Sequence, residues 1–130
     1  MQRNEHSRER SWAEKFRDAF RGLKQGVRGQ ISFFAHFFMA AAVIAAAVVL
    51  KVRSQAEWCL LLLCITLVLC AEMFNSALES LARAITDEAD PHVAVALNIG
   101  SAAVLLASVG AAVVGTIILL NRLALLVGWW

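Results

Sequence analysis

The sequence predicts an all-α integral membrane protein, with one amphipathic helix lying in the membrane interface and three transmembrane helices after it. Composition is the first observation: the 130 residues are 60% hydrophobic and 17% charged, with mean hydropathy +0.67. A soluble domain is nearer about 45–50% apolar and about 25% charged. The second observation is that the excess sits in long runs, each close to the thickness of a hydrocarbon core. The third is size, because a chain with room for one domain cannot bury that much apolar surface inside itself. Lipid must cover the remainder.

The N-terminal arm is basic. Arg3, Arg8, Arg10, Lys15, Arg17, Arg21, Lys24 and Arg28 stand against Glu5, Glu9, Glu14 and Asp18. Such an arm just ahead of a membrane span points to anionic headgroups, and no nucleic-acid module accompanies it, so no nucleic-acid partner is expected. A secretory signal is also a poor reading, because the polar stretch before the first apolar run is too long for an n-region. From Ser11 to about Arg28 the pattern turns helical: Ser11 with Glu14 has capping-box spacing, and Trp12, Phe16, Phe20, Leu23 and Val27 form one apolar stripe. That profile suits a helix lying in the interface.

Ile31–Leu50 is a run interrupted only by Ser32 and His36, and at ~1.5 Å per residue it crosses one hydrocarbon core. Lys51–Glu57 reads as a polar turn, and Trp58 begins a second run that continues, past Glu72, to about Ile85. Residues 86–92, with three acids and the single proline, break the pattern, and a third span covers Val93–Leu120. Ala103, Ala107, Ala111 and Gly115 recur every fourth position in it, which favours close helix approach. Asn121-Arg122 marks its exit, and Trp129-Trp130 suits the interface beyond. The division is therefore a basic arm and interfacial helix over residues 1–30 and a three-span domain over 31–130, with spans at about 31–50, 58–85 and 93–120. Cys59, Cys64 and Cys70 lie in one apolar run without metal spacing and read as reduced, small hydrophobes. The basic bias places the N-terminus in the cytoplasm, so residues 84–92 are inside as well.

The chemistry is concentrated in AEMFNSALES. Glu72 and Glu79 fall about 20° apart on a helical wheel, flanked by Asn75 and Ser76. Asn98 and Ser101 on the third span, and Gln30, Ser32 and His36 at the start of the first, lie at the same depth near the cytoplasmic face. Acids inside a membrane helix are costly unless paired, and Glu79 has Arg83 four residues on as one candidate partner. Carboxylates bind Mg²⁺ through oxygen, together with substrate phosphates, and a second carboxylate can act as a general base. These groups suit phosphoryl transfer at the membrane surface. Taken alone they equally allow a proton or cation pathway. No P-loop or protein-kinase motif is present.

AEMFNSALES, followed by NIGSAAVLLA, with AFRGL at Ala19–Leu23 and the Glu57-Trp58 start, resembles the small bacterial membrane kinases that phosphorylate diacylglycerol or undecaprenol. The resemblance covers nearly the whole chain. It implies a homotrimer in the bacterial inner membrane, with sites between subunits, ATP as phosphate donor and Mg²⁺ as cofactor. It implies Glu72 as the base that deprotonates the lipid hydroxyl and Glu79 as a ligand of the Mg²⁺ carried by ATP. It also implies that Asn75 helps shape the site and that Ser101 lies in its lining. The chain departs from the family pattern at four places. Leu97-Asn98 replaces a lysine-aspartate pair, Gln30 an acidic metal ligand, Arg83 an aspartate, and Phe34 an arginine. Arg83, one turn beyond Glu79, is a candidate for the positive charge that Leu97 does not supply. A family member without catalysis, serving in lipid binding or assembly, is the alternative those departures raise.

Overall fold

The computed structural model describes residues 11–28, 31–85 and 90–129, and among these every regular element is an α-helix. Helix α1 spans Trp12–Val27, α2 Ile31–Val49, α3 Gln55–Ile85 and α4 Pro91–Leu126. The last three are long and apolar enough to cross a membrane, and only 11%, 28% and 11% of their most apolar windows are buried within the chain. Apolar side chains cover the rest, among them Ile31, Phe38, Phe74 and Leu106. In water such a surface would drive aggregation; in a bilayer it is the solvated face.

Helix α1 starts on the capping box expected from Ser11 and Glu14. The Glu14 amide donates to Ser11 Oγ at 3.3 Å, and the Ser11 amide donates to Glu14 Oε2 at 2.8 Å. Its stripe stays uncovered, with Trp12, Phe16 and Phe20 at 73%, 63% and 72% exposure. Lys15 Nζ lies 4.9 Å from the Trp12 ring centroid, a cation–π contact at one edge of the stripe. The helix touches α3 near its C-terminal end, where the flexible Met73 thioether lies over Gly26.

The turn after α2 is less polar than its sequence suggests. Val52 N–H bonds to the Ala47 carbonyl at 2.9 Å and Lys51 N–H to the Val48 carbonyl at 3.1 Å, with Lys51 at φ 55°. This is a Schellman cap, and its hydrophobic contact is present: Ala47 and Val52 are both buried, in one cluster with Leu61 and Ile118. Trp58 packs on that cluster while its indole donates to the Val52 carbonyl at 3.0 Å. Helix α3 begins at Gln55, three residues ahead of the position expected from Trp58, because Ser54 Oγ already accepts the Glu57 amide at 3.4 Å.

Helix α4 opens on Asp90, which accepts from the His92 and Val93 amides at 2.7 and 3.1 Å, with Pro91 at the first position. It runs to Leu126, beyond the expected exit at Asn121-Arg122. The reason is tertiary: the Arg122 guanidinium reaches Glu57 on α3, with Nε donating to Oε2 at 2.9 Å. A polar residue that would end a span in isolation is thereby kept inside the bundle. The most extensive packing is between α3 and α4, and α2 rests more lightly on both. Of the small residues expected to mediate it, Gly115 is buried, Ala107 and Ala111 are half-buried, and Ala103 is exposed.

Candidate functional site

The site forms where the second half of α3 meets the start of α2. Helical periodicity places Glu72, Asn75, Ser76 and Glu79 on the inward face. Glu72, Asn75 and Ser76 are 3%, 8% and 6% exposed, and Glu79 is half-buried. An acid this deep needs partners, because desolvation alone would cost several kcal/mol. The Ser32 hydroxyl donates to Glu72 Oε1, and His36 Nε2 stands 3.8 Å from Oε2. Both partners come from α2 and are four residues apart, so one helix face serves both carboxylate oxygens.

Two turns along α3, about 10 Å on, Asn75 Nδ2 donates to Glu79 Oε1 at 3.0 Å. The Asn75 amide is pressed against α4 at Gly100, where a Cβ would come within 2.6 Å of Asn75 Oδ1 and 3.0 Å of Leu78 Cδ1. Asn75 Oδ1 and Ser76 Oγ are buried without a hydrogen-bond partner among the described residues. Buried polar atoms are normally satisfied, and an exception calls for an explanation.

The structure thus joins Glu72, Asn75, Ser76 and Glu79 in one patch and adds Ser32 and His36 as direct partners of Glu72. It does not bring Asn98 or Ser101 to that patch within one chain: both are exposed, and the α4 residue that faces α3 there is Gly100. Leu97 is half-buried and Arg83 is exposed. Gln30 lies outside the described residues. The sequence placed Ser32 and His36 at the right depth; their four-residue spacing was the signal that both would reach one group. Gly100 had no such signal, since a glycine's role depends on what approaches it.

Among the described residues no group of three or more histidines, cysteines or acids stands close enough to cage a metal. Mg²⁺ needs no such cage, as it is commonly held by one or two carboxylates together with substrate phosphates and water. Glu79, with one oxygen fixed by Asn75, fits that mode. Beside the site a cleft of about 520 Å³ runs between α2, α3 and α4, lined by His36, Met39, Cys64, Val68, Ser108 and Thr116 among others. The whole arrangement, a buried oriented carboxylate with a second carboxylate two turns away, can accept a proton at one point and hold a cation at another.

Comparison with protein families matches residues 17–119 to the model described as prokaryotic diacylglycerol kinase. The match runs from within α1 to near the end of α4 and contains every residue of the patch. No curated protein matches the chain.

Proposed function

The chain belongs to the prokaryotic diacylglycerol kinase family, a family of lipid kinases, and from that premise we propose that it transfers the γ-phosphate of ATP to the hydroxyl of a membrane lipid, diacylglycerol or undecaprenol. In this reading the membrane is the bacterial inner membrane, the N-terminus is cytoplasmic, and the reaction takes place at the cytoplasmic surface. The basic arm ahead of the first span supports that orientation.

The observation that carries the reading is the pair of environments along one helix face. Glu72, held by Ser32 and His36, is the general base that takes the lipid hydroxyl proton. Glu79, held by Asn75, is the Mg²⁺ ligand, assisted by Gln30. The metal, when bound, neutralises charge on the transferring phosphate. The separation of about 10 Å along the helix leaves room for the reacting hydroxyl and a phosphate chain between the two carboxylates. Ser76 and Asn75 shape the pocket, and Arg83 supplies positive charge where Leu97 replaces the family's lysine.

Asn98 and Ser101 point outward on the single chain, which suits a homotrimer in which a neighbouring copy completes each site. Leu97-Asn98 also favours a second reading, in which the chain keeps the family's assembly and lipid contacts without catalysis. The two are separated by following Mg²⁺-dependent transfer from ATP to diacylglycerol and to a polyprenol with the purified full-length protein. Glu72→Gln and Glu79→Gln serve as controls, and Arg83→Ala tests the replacement charge. Transfer that depends on both glutamates supports the kinase reading. A stable trimer that neither binds ATP nor phosphorylates either lipid establishes the second.

A further inference from the structure

Beyond holding Glu72, His36 has no chemical step in the roles set out above, yet its imidazole faces the second oxygen of the Glu72 carboxylate. The Ser32 hydroxyl takes Oε1 and His36 Nε2 stands 3.8 Å from Oε2. That separation is longer than a hydrogen bond, and such contacts tighten when a site is occupied. The two side chains differ in access: Glu72 is 3% exposed and His36 23%. His36 also lines the cleft between α2, α3 and α4. From α3 the titratable groups that face it are Glu72 and, farther along the cleft, Cys64. Helix α4 brings the hydroxyls of Ser108 and Thr116 and no titratable group to that lining, and α1 contributes nothing to it.

A buried base that accepts a proton in each turnover must lose it before the next. Ser32 acts as a donor to Oε1 and provides no net acceptor. Resting on the kinase reading, we propose that His36 is the proton relay behind Glu72. After phosphoryl transfer the O–H bond at Glu72 Oε2 breaks and an N–H bond forms at His36 Nε2, which regenerates the carboxylate. The imidazolium then releases the Nδ1 proton to water, which leaves the Nε2–H tautomer. Proton exchange with water restores the Nδ1–H form, so that Nε2 can accept again in the next turnover. His36 acts through Glu72 and is therefore a positioning residue.

The test uses the full-length protein in lipid bilayers with MgATP and diacylglycerol, comparing wild type, His36→Gln and His36→Ala. Glutamine fills much of the same space and can donate to Oε2 but cannot carry a proton. The expected result is a fall in kcat of about tenfold or more for both variants, with KM for ATP essentially unchanged. Added imidazole restores part of the rate to His36→Ala, an effect that a merely structural role would not produce. Wild-type kcat in His36→Gln, or a His36→Ala defect that imidazole leaves untouched, overturns the relay. If His36→Ala does not fold, His36→Gln decides through the solvent deuterium effect on kcat: an enlarged effect supports the relay and an unchanged one removes it. Wild type that transfers no phosphate to any lipid overturns the kinase reading itself, whereas active wild type beside a full-rate His36→Gln overturns the relay alone.

Discussion

Glu72 and Glu79 have the same side chain on the same face of α3, and their surroundings differ. Glu72 is enclosed by a hydroxyl and an imidazole from α2, while Glu79 is half-buried and held through the amide of Asn75. In the proposed function, environment rather than residue type assigns different work to the two carboxylates. Glu72→Gln keeps the shape of the side chain and removes its ability to accept a proton. Phosphate transfer is expected to fall by about 10²–10⁴-fold in kcat, with KM for ATP little changed. Full activity in that variant would remove Glu72 as the base. Gly100 makes a different kind of residue-scale statement. An added Cβ would stand 2.6 Å from Asn75 Oδ1, so Gly100→Ala must push α4 away or displace the amide that holds Glu79. The expected cost is about 1–3 kcal/mol, read as thermal unfolding in detergent, and it should shrink in an Asn75→Ala background. Equal losses in the two backgrounds would show that the contact with Asn75 is not the cause.

Element ends explain why the helices stop and start where they do. The Schellman cap of α2 places a lysine in the left-handed region, at φ 55°, where a Cβ is crowded by the following carbonyl. Lys51→Gly is therefore expected to stabilise the protein by about 1 kcal/mol, measured as a higher unfolding temperature with unchanged activity. A lower unfolding temperature would mean that the lysine side chain contributes more than its backbone conformation costs. The capping box of α1 was legible from Ser11 and Glu14 alone, because both partners are three residues apart and need nothing else. The ends of α3 and α4 were less legible. Ser54 extends α3 backward, and α4 continues through Asn121-Arg122 because Glu57 awaits the guanidinium 65 residues away in sequence.

At the scale of the whole molecule, two polar levels bracket an apolar middle. Glu57 lies about 22 Å along α3 from Glu72 and about 33 Å from Glu79, distances comparable to a hydrocarbon core of about 30 Å. The Glu57–Arg122 pair joins α3 and α4 at one level, and the patch of Glu72 to Glu79 stands at the other. The pair is about one-fifth exposed at each partner, 22% for Arg122 and 19% for Glu57, so removing one member leaves a poorly solvated charge. Glu57→Gln or Arg122→Gln is expected to destabilise by about 1–3 kcal/mol, and the double variant by less than the sum. Additive losses in thermal unfolding would show that the two side chains act independently.

The sequence by itself determined the class, the number of spans, the interfacial helix and the face of α3 on which the carboxylates meet. Each of these depends on periodicity and composition within one segment, where the spacing of residues along a helix fixes their direction. Only the tertiary structure decided the partners. It gave Ser32 and His36 to Glu72, set Gly100 rather than Asn98 or Ser101 against Asn75, buried Val52 in a turn that reads as polar, and tied Arg122 to Glu57. Contacts between helices depend on their relative rotation and depth. A single segment carries its own angular pattern but not the position of the helix that will pack against it.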